Sequence, residues 1–192
     1  MPTSKIALRL SAALLAASLF ATGCTMNGPR YNPFVGNTLA LREAGLEQVA
    51  IGAIRKDPRA KGDVDRVKAR AMSVTSPYGS YTAYLREALA TEFDHADLLD
   101  AGSAIRIDGV LLGNELARGM NKEYAALQAQ LTITCDGRTA WQGTKSARYE
   151  WESAFLGEVA IPRAIANYQI GVQRLIAAFI ADPEFAAALG KR

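Results

Sequence analysis

Three segments of the chain carry hydrophobic residues at a regular period. Residues 124–135 alternate between apolar and polar side chains, which is typical of a strand with one buried face. Residues 77–96 and 158–180 repeat apolar side chains every three or four positions, which predicts two amphipathic helices with one stripe each toward a core. The first helix is predicted to begin at Ser76-Pro77, with Ser76 as the N-cap and Pro77 in the first helical position.

Weaker patterns predict the remaining elements. Residues 48–55 and 104–112 alternate well enough to indicate strands. Residues 56–73 are polar and mixed in charge, which indicates a loop or a short irregular helix near positions 64–71. Residues 113–122 are predicted to be a polar connection, and residues 183–189 a short last helix.

Asp136-Gly137 predicts a β-hairpin whose register has two alternatives. A two-residue turn places Ile133 opposite Ala140, whereas a turn with a glycine bulge places Ile133 opposite Trp141. We favour the bulge because it brings a large apolar ring to the core face of the sheet.

The order of strand, helix, three strands and helix is typical of an α+β protein. We expect a two-layer sandwich, in which a small and mainly antiparallel sheet is covered on one face by two helices. No internal repeat and no low-complexity tract interrupts this order.

The start of the chain has the features of an export signal. A short basic region precedes an apolar run at residues 10–20, which is too short for a bilayer-spanning helix of about 20 residues. The run leads to Ala21-Thr22-Gly23-Cys24, which resembles the bacterial lipobox, with alanine where leucine is usual.

The lipobox resemblance implies that residues 1–23 are a signal peptide and that Cys24 carries lipid. Its thiol would hold a diacylglyceryl group and its amino group a further acyl chain such as palmitate, and two or more chains anchor a protein stably. Thr25, rather than aspartate, follows the cysteine, which implies the outer membrane, with the domain facing the periplasm. Because of its prolines and glycines, we expect residues 24–45 to form a tether, and residues 46–192 a single domain.

Charge and cysteine content limit the function classes. Loss of the signal peptide would lower the formal charge from +3 to +1, so the basic isoelectric point does not indicate nucleic-acid binding. If Cys24 is lipidated, Cys135 has no disulfide partner, and its place on the apolar face of a predicted strand indicates a buried structural thiol.

No catalytic or metal-binding pattern stands out in the sequence. The only histidine, His95, lies between Asp94 and Asp97 late in a predicted helix, and its expected place is the surface. The carboxylates at positions 94, 97 and 100 lack the glycine and terminal glutamate of a calcium loop. Neither a nucleophile elbow nor a phosphate-binding glycine loop is present. We therefore predict no enzyme activity, no metal site and no cofactor.

Two groups of side chains are candidates for contact with other molecules. A basic stretch could meet lipid phosphates or an acidic partner, although an ordinary solvated loop is the favoured interpretation. It consists of Arg55, Lys56, Arg59, Lys61, Arg66, Lys68 and Arg70. An aromatic cluster could contact a partner or a lipid, although packing in the core is favoured. It consists of Tyr149, Trp151 and Phe155.

The order of lipobox, strand, Ser-Pro-started helix, hairpin and long final helix resembles envelope lipoproteins grouped as ABC-transport auxiliary components, and related proteobacterial lipoproteins. The stretches that carry the resemblance are residues 76–85 and 151–183. The resemblance implies a non-catalytic accessory or scaffold role, binding a protein partner in an envelope transport or maintenance complex. One alternative is a lipid or other amphiphile bound between helix and sheet, and a remote alternative is an envelope hydrolase.

Overall fold

A computed structural model of the protein describes residues 25–60 and 62–190, so Cys24 and Lys61 lie outside the described residues. The described part contains seven strands and four helices, which confirms the α+β class. The strands are β1 (Thr25–Asn27), β2 (Ala50–Lys56), β3 (Val67–Ala69), β4 (Met72–Thr75), β5 (Ile105–Arg118), β6 (Lys122–Cys135) and β7 (Arg138–Glu152). The helices are α1 (Val35–Glu43), α2 (Tyr81–His95), α3 (Gly157–Ile180) and α4 (Pro183–Leu189).

The strands form two sheets rather than the single sheet expected. The larger sheet has the order β2-β5-β6-β7, and the smaller sheet has the order β1-β4-β3. Strands β5, β6 and β7 are joined by hairpins and are antiparallel. Strand β2 is parallel to β5. The β3–β4 hairpin and helix α2 connect the two strands and bring the chain back to the end of the sheet at which β2 began.

The main core lies between one face of the larger sheet and helices α2 and α3. Strand β6 has the predicted alternation, since Leu127, Ala129, Leu131 and Ile133 are buried. Cys135 was expected on this face, but it is only partly buried because it is the last residue of β6 and borders the turn.

The hairpin between β6 and β7 has the favoured pairing of Ile133 with Trp141, but its bulge is not at the glycine. Asp136 and Gly137 form a two-residue turn, with φ values of 50° and 76° that glycine adopts readily. The register then shifts, and Ile133 pairs with Trp141. The extra residue of the bulge is therefore Ala140, and not the glycine of the turn.

The bulge brings the Trp141 ring onto the core side of the edge strand. Its ring centroid lies 5.2 Å from that of Phe185 and 6.2 Å from that of Phe179, both in edge-to-face geometry. The indole also lies over Gly143, so that a Cβ atom at position 143 would collide with it. The absence of a side chain at position 143 therefore makes room for the ring.

Helix α2 begins four residues later than the sequence predicted. Its N-cap is Ser80, whose Oγ accepts a hydrogen bond of 3.0 Å from the backbone N–H of Ala83. Ser76 was expected in this role, but its Oγ accepts instead from the N–H of Tyr78, at 3.1 Å, within a preceding turn. A serine side chain can accept a hydrogen bond either in a turn or at the start of a helix, and here Ser76 stabilises the turn while Ser80 caps the helix.

Residues 64–71 do not form the loop or irregular helix that was predicted. Strands β3 and β4 pair as a tight antiparallel hairpin, with Arg70 in the turn at a φ of 59°. Just before the hairpin, Asp65 accepts hydrogen bonds of 3.1 Å from the first N–H groups of α2, those of Tyr81 and Thr82. The hairpin thus helps to fix the start of the helix.

Strand β5 continues well beyond its predicted end at residue 112. Its register with β6 shifts between Leu111 and Gly113, and pairing then resumes as far as Arg118. The shift interrupts the alternation of side chains, which is why residues 113–122 were expected to be a polar connection.

The described part of the predicted tether is folded against the domain. Residues 25–27 form β1, and residues 35–43 form α1, from which Leu41 reaches the core. The Tyr31 ring is also buried and lies edge-on against the ring of Tyr84, with centroids 6.1 Å apart.

Candidate interaction surfaces

Exposed members of the basic stretch are largely paired with acids from the same loop. Lys56 and Arg66 approach Asp63 at 3.8 and 3.3 Å, and Arg59 approaches Asp57 at 3.2 Å. Exposed pairs of this kind contribute little to stability and are screened by salt. In the described part of the loop, these pairs place a carboxylate beside each of the three cations.

The structure does not gather the remaining basic residues into one site. Arg55 and Lys68 are exposed on β2 and β3, which belong to different sheets. Lys61 lies outside the described residues. The six basic residues that the structure describes therefore do not form the single anion-binding patch that was considered.

Arg70 has a structural environment unlike that of the other five described members of the stretch. Its guanidinium pairs with the Oε1 atom of Glu123 at 3.2 Å, and the Glu123 side chain is only 5% exposed. Glu123 Oε1 also accepts from the Ser153 hydroxyl at 3.2 Å, while Oε2 accepts from the indole N–H of Trp151 at 3.1 Å. Both oxygens of this buried carboxylate are thus hydrogen-bonded.

The same guanidinium joins two distant parts of the chain. Arg70 donates to the backbone carbonyls of Ala154 and Phe155, the latter at 3.2 Å. The turn of the β3–β4 hairpin is therefore attached to the loop between β7 and α3. An open cavity of about 220 Å³ lies beside this contact, and Lys68, Arg118 and Leu116 are among the residues that line it.

Two residues of the predicted aromatic cluster lie together and the third lies apart, since the ring centroids of Tyr149 and Trp151 are 5.7 Å apart. Trp151 is buried and bound to Glu123, whereas Tyr149 is partly buried beneath the guanidinium of Arg174, which lies 4.4 Å from the ring centroid. Phe155 projects into solvent. The cluster therefore does not form one shared surface.

Phe155 belongs instead to a group of exposed apolar side chains at one end of the larger sheet. The loop after β7 meets the β5–β6 turn here, where the N–H of Ser153 donates to the carbonyl of Asn121 at 3.3 Å. Phe155 is 92% exposed and Met120, in that turn, is 96% exposed. We call this group the apolar tip, and it consists of Met120, Phe155, Leu156 and Val159.

A second buried carboxylate, Glu92 of α2, holds the N-terminal segment. Its Oε1 atom accepts from the Tyr31 hydroxyl at 2.5 Å, the Phe34 N–H at 3.0 Å and the Asn37 amide at 3.1 Å. Its Oε2 atom has no hydrogen-bond partner among the described residues. Burial, and then the hydrogen bond to Glu92, raise the pKa of Tyr31 far above its ordinary value.

The sequence contained a signal for this contact that was not used. Glu92 stands four positions after Ala88 and one before Phe93, so it falls on the apolar stripe of the helix. A charged residue on a buried stripe requires a polar partner. That requirement could have indicated that a polar segment packs over α2.

The histidine and the carboxylates of residues 94, 97 and 100 are all exposed in the structure. His95 is exposed at the end of α2, with its Nδ1 atom 3.0 Å from the carbonyl oxygen of Thr91. Asp97 pairs with Arg42 at 2.8 Å. In residues 25–60 and 62–190, no cluster of three histidine, cysteine or acidic side chains is placed to bind a metal ion.

Two further observations concern membranes and lipids. Within the described part of the chain, no helix combines the length and the hydrophobicity needed to cross a bilayer. An apolar cavity between α2, α3 and the β3–β4 hairpin has a volume of about 10 Å³. Ligand pockets typically measure roughly 300 Å³ or more, so this cavity is far too small for an acyl chain.

The two edges of the larger sheet differ. Edge strand β2 has seven residues and a bulge, where Asp108 accepts from the Ala53 N–H at 2.8 Å and Arg86 donates to the Gly52 carbonyl at 3.1 Å. Edge strand β7 has 15 residues, and among the described residues only β6 pairs with it. The outer side of β7 is thus a long edge that another strand could join.

Comparison with known proteins identifies relatives of the fold. No protein-family model matches the sequence, and a comparison with curated proteins found no relative. A solved structure from Xanthomonas campestris, described as DUF330, has a TM-score of 0.56 at 11% identity, covering 85% of this chain and 96% of its own. The described domain therefore shares the fold of that protein.

Two looser structural likenesses are to bacterial lipoproteins. A candidate lipoprotein from Caulobacter crescentus has a TM-score of 0.48 at 16% identity, covering 81% of this chain and 98% of its own. A minor lipoprotein from Acinetobacter baumannii has a TM-score of 0.43 at 11% identity, covering 77% and 98%.

Proposed function

We propose that this chain is a non-catalytic lipoprotein of the bacterial envelope that binds a protein partner through the outer edge of β7. Lipid on Cys24 would tether it to the outer membrane, with the domain in the periplasm. Its role would be that of an accessory or scaffold component in an envelope transport or maintenance complex, as the resemblance to ABC-transport auxiliary lipoproteins implies. The lipobox supports the tether, and the long edge of β7 supports the partner.

The edge of β7 is the observation that carries the partner-binding proposal. Over 15 residues it offers backbone donors and acceptors to which a partner strand could bind. The β2 edge is shorter and is partly occupied by side chains of its own chain. Proteins usually shield long edges, because an open edge invites pairing with another chain.

Other functions receive less support from the same geometry. Binding of an acyl chain between helix and sheet would need an apolar space far larger than the cavity of about 10 Å³ found there. An envelope hydrolase would need a base beside a nucleophile, whereas His95 is exposed at a helix end and contacts a backbone carbonyl.

Site-specific photo-crosslinking in living cells tests the partner. A photoreactive residue at Thr144, exposed near the middle of β7, should give a discrete adduct with one envelope protein or with a second copy of the chain. The same residue at Arg59, in an exposed loop, is the matched control and should not give that adduct. Equal adducts at both positions, or none at Thr144, would contradict the proposal.

The tether has a separate test. The variant Cys24→Ala should lose fractionation with outer membranes, because the acyl chains that supply stable anchoring cannot be attached. Unchanged fractionation of the variant with outer membranes would contradict the proposal that lipid on Cys24 tethers the protein.

A further inference from the structure

We propose that the apolar tip inserts into the surface of the membrane that holds the lipid anchor, so that the domain lies on that membrane in one orientation. This inference rests on the proposed lipid at Cys24. It adds a second contact with the bilayer, made by side chains of the folded domain.

The first described residue lies beside the same hairpin that reaches the tip. Strand β1 is parallel to β4, and Thr25 is opposite Ser73. Because β4 begins immediately after the Arg70–Ala71 turn, the chain enters β1 from the end of the small sheet where that turn lies. Ser73 is three residues beyond Arg70, which corresponds to about 10 Å of extended chain.

Arg70 connects this end of the small sheet to the loop that carries the tip. Its guanidinium donates to the carbonyls of Ala154 and Phe155 and pairs with buried Glu123. The start of β1 and the apolar tip therefore lie at one end of the molecule, joined by the ion pair between Arg70 and the buried Glu123 carboxylate rather than by a flexible loop.

Little chain separates the domain from the proposed lipid. Cys24 directly precedes Thr25 in the sequence, and consecutive Cα atoms are about 3.8 Å apart. Since Thr25 is already paired with Ser73 in a sheet, lipid on Cys24 would hold this end of the domain close to the bilayer. The side chains nearest to the membrane would then include the apolar tip.

The chemistry of the tip fits the boundary between lipid headgroups and acyl chains. A phenylalanine and a methionine project almost completely from the surface, at 92% and 96% exposure. Such side chains are unfavourable in water and favourable when buried in the outer part of a bilayer. Exposed Glu152 and Glu158 lie at this end as well as Arg118 and Lys122, so apolar burial rather than net charge would carry the contact.

Fluorescence quenching by lipid-borne probes tests this orientation. The full chain would be exported and lipidated in a Gram-negative host, then reconstituted into vesicles of phosphatidylethanolamine and phosphatidylglycerol containing doxyl-labelled lipid. The variant Phe155→Trp adds an indole at the tip. The variant Leu39→Trp is the matched control, because it also replaces an exposed apolar residue. Leu39 lies on α1, and Arg42 of the same helix binds the carbonyl of His95, at the end of α2 that is remote from the apolar tip. The signal of the native Trp141 and Trp151 is subtracted with the parent protein.

We expect the doxyl lipid to reduce the added fluorescence of Phe155→Trp strongly and that of Leu39→Trp very little. The emission of Phe155→Trp should also shift to shorter wavelength when the protein joins vesicles. Because apolar contacts are not screened, the quenching should persist at high salt.

Flotation of the vesicles distinguishes failure of the lipid anchor from failure of the oriented contact made by the apolar tip. If the protein floats with vesicles but the two variants are quenched equally, the oriented contact is wrong and the lipid anchor stands. If quenching at position 155 disappears at high salt, insertion of apolar side chains is wrong. If the parent protein does not float with vesicles, the lipid anchor fails, and the inference that rests on it fails too.

Discussion

Glu92 on α2 and Glu123 on β6 are both buried carboxylates that fasten a peripheral segment to the core. Glu92 binds residues 31–37 of the predicted tether through one oxygen, and its second oxygen has no partner among the described residues. Glu123 binds the β3–β4 hairpin and the loop after β7, uses both oxygens, and faces the cation of Arg70.

The difference shows two ways to compensate a carboxylate for the loss of water. At Glu123 the compensation comes from the opposite charge of Arg70, whose side chain is only partly buried, and removal of Arg70 leaves the buried carboxylate without a counter-charge. At Glu92 it comes from neutral donors alone, so the contact depends on hydrogen-bond geometry. The two regions should therefore respond differently to neutralisation of the carboxylate and to pH.

The largest effect should follow loss of the cation. Arg70→Ala leaves Glu123 buried without its counter-charge, which we expect to lower the free energy of unfolding by roughly 3–5 kcal/mol. Arg66→Ala, at an exposed ion pair, is the control and should cost about 1 kcal/mol or less. Urea denaturation measures both values. A loss at Arg70 no greater than at Arg66 would show that Glu123 is not held by charge.

A paired Glu→Gln substitution sharpens the comparison. Glu123→Gln places an amide NH₂ group against a donor, either the Trp151 indole or the Arg70 guanidinium, and should cost about 2–3 kcal/mol. Glu92→Gln can keep its acceptor oxygen toward Tyr31 and turn the amide nitrogen to the side without a partner, and should cost about 1 kcal/mol. Equal losses at the two sites would contradict the difference in how their oxygens are used.

Alkaline pH should affect the Glu92 region through Tyr31. Its pKa is raised in the folded protein, so its contribution to stability is present below the ordinary value of 10.0 and is lost as the pH rises above it. Tyr31→Phe should be less stable at neutral pH by about 1 kcal/mol and should fall less steeply above pH 10. Denaturation curves from pH 8 to 11 test this, and parallel curves for the two proteins would refute it.

The smallest effect is expected at Asp182, a partly buried carboxylate at the start of α4 that serves as a reference for both buried sites. Hydrogen bonds from Lys145 and from the Glu184 N–H hold the pKa of Asp182 below its ordinary value of 3.8. Its contribution is therefore present above that value and is lost as the pH falls through the lowered pKa. Asp182→Asn should cost less than either buried change at pH 7, and the difference from the parent should vanish in strong acid.

Sequence periodicity was most informative where one face of an element is buried throughout. Strand β6 and helix α3 lie close to their predicted bounds, and the Ile133–Trp141 pairing follows from the apolar character of both residues. The continuation of β5 was missed because its register shifts at Leu111. A bulge shifts the alternation of side chains by one residue, so one period no longer describes the whole strand.

The elements held by long-range polar contacts could not be predicted from local pattern. Helix α1 and the β3–β4 hairpin are short, and their positions depend on Glu92 and Glu123, which lie 55 and 53 residues from Asn37 and Arg70. The same reason applies to the candidate site. The basic stretch was expected to be an ordinary solvated loop, with an anion contact as the alternative, but Arg70 turns inward because its partner comes from a distant strand.

Because Trp141 packs over Gly143, the substitutions that evolution can accept at position 143 depend on the residue at position 141. A side chain could arise at position 143 only in a lineage that had already exchanged the indole for something smaller, because the two would occupy the same space. The reverse order would pass through an ancestor with a disrupted edge strand. Substitutions at these two positions are therefore expected to be epistatic, with the change at 141 preceding the change at 143.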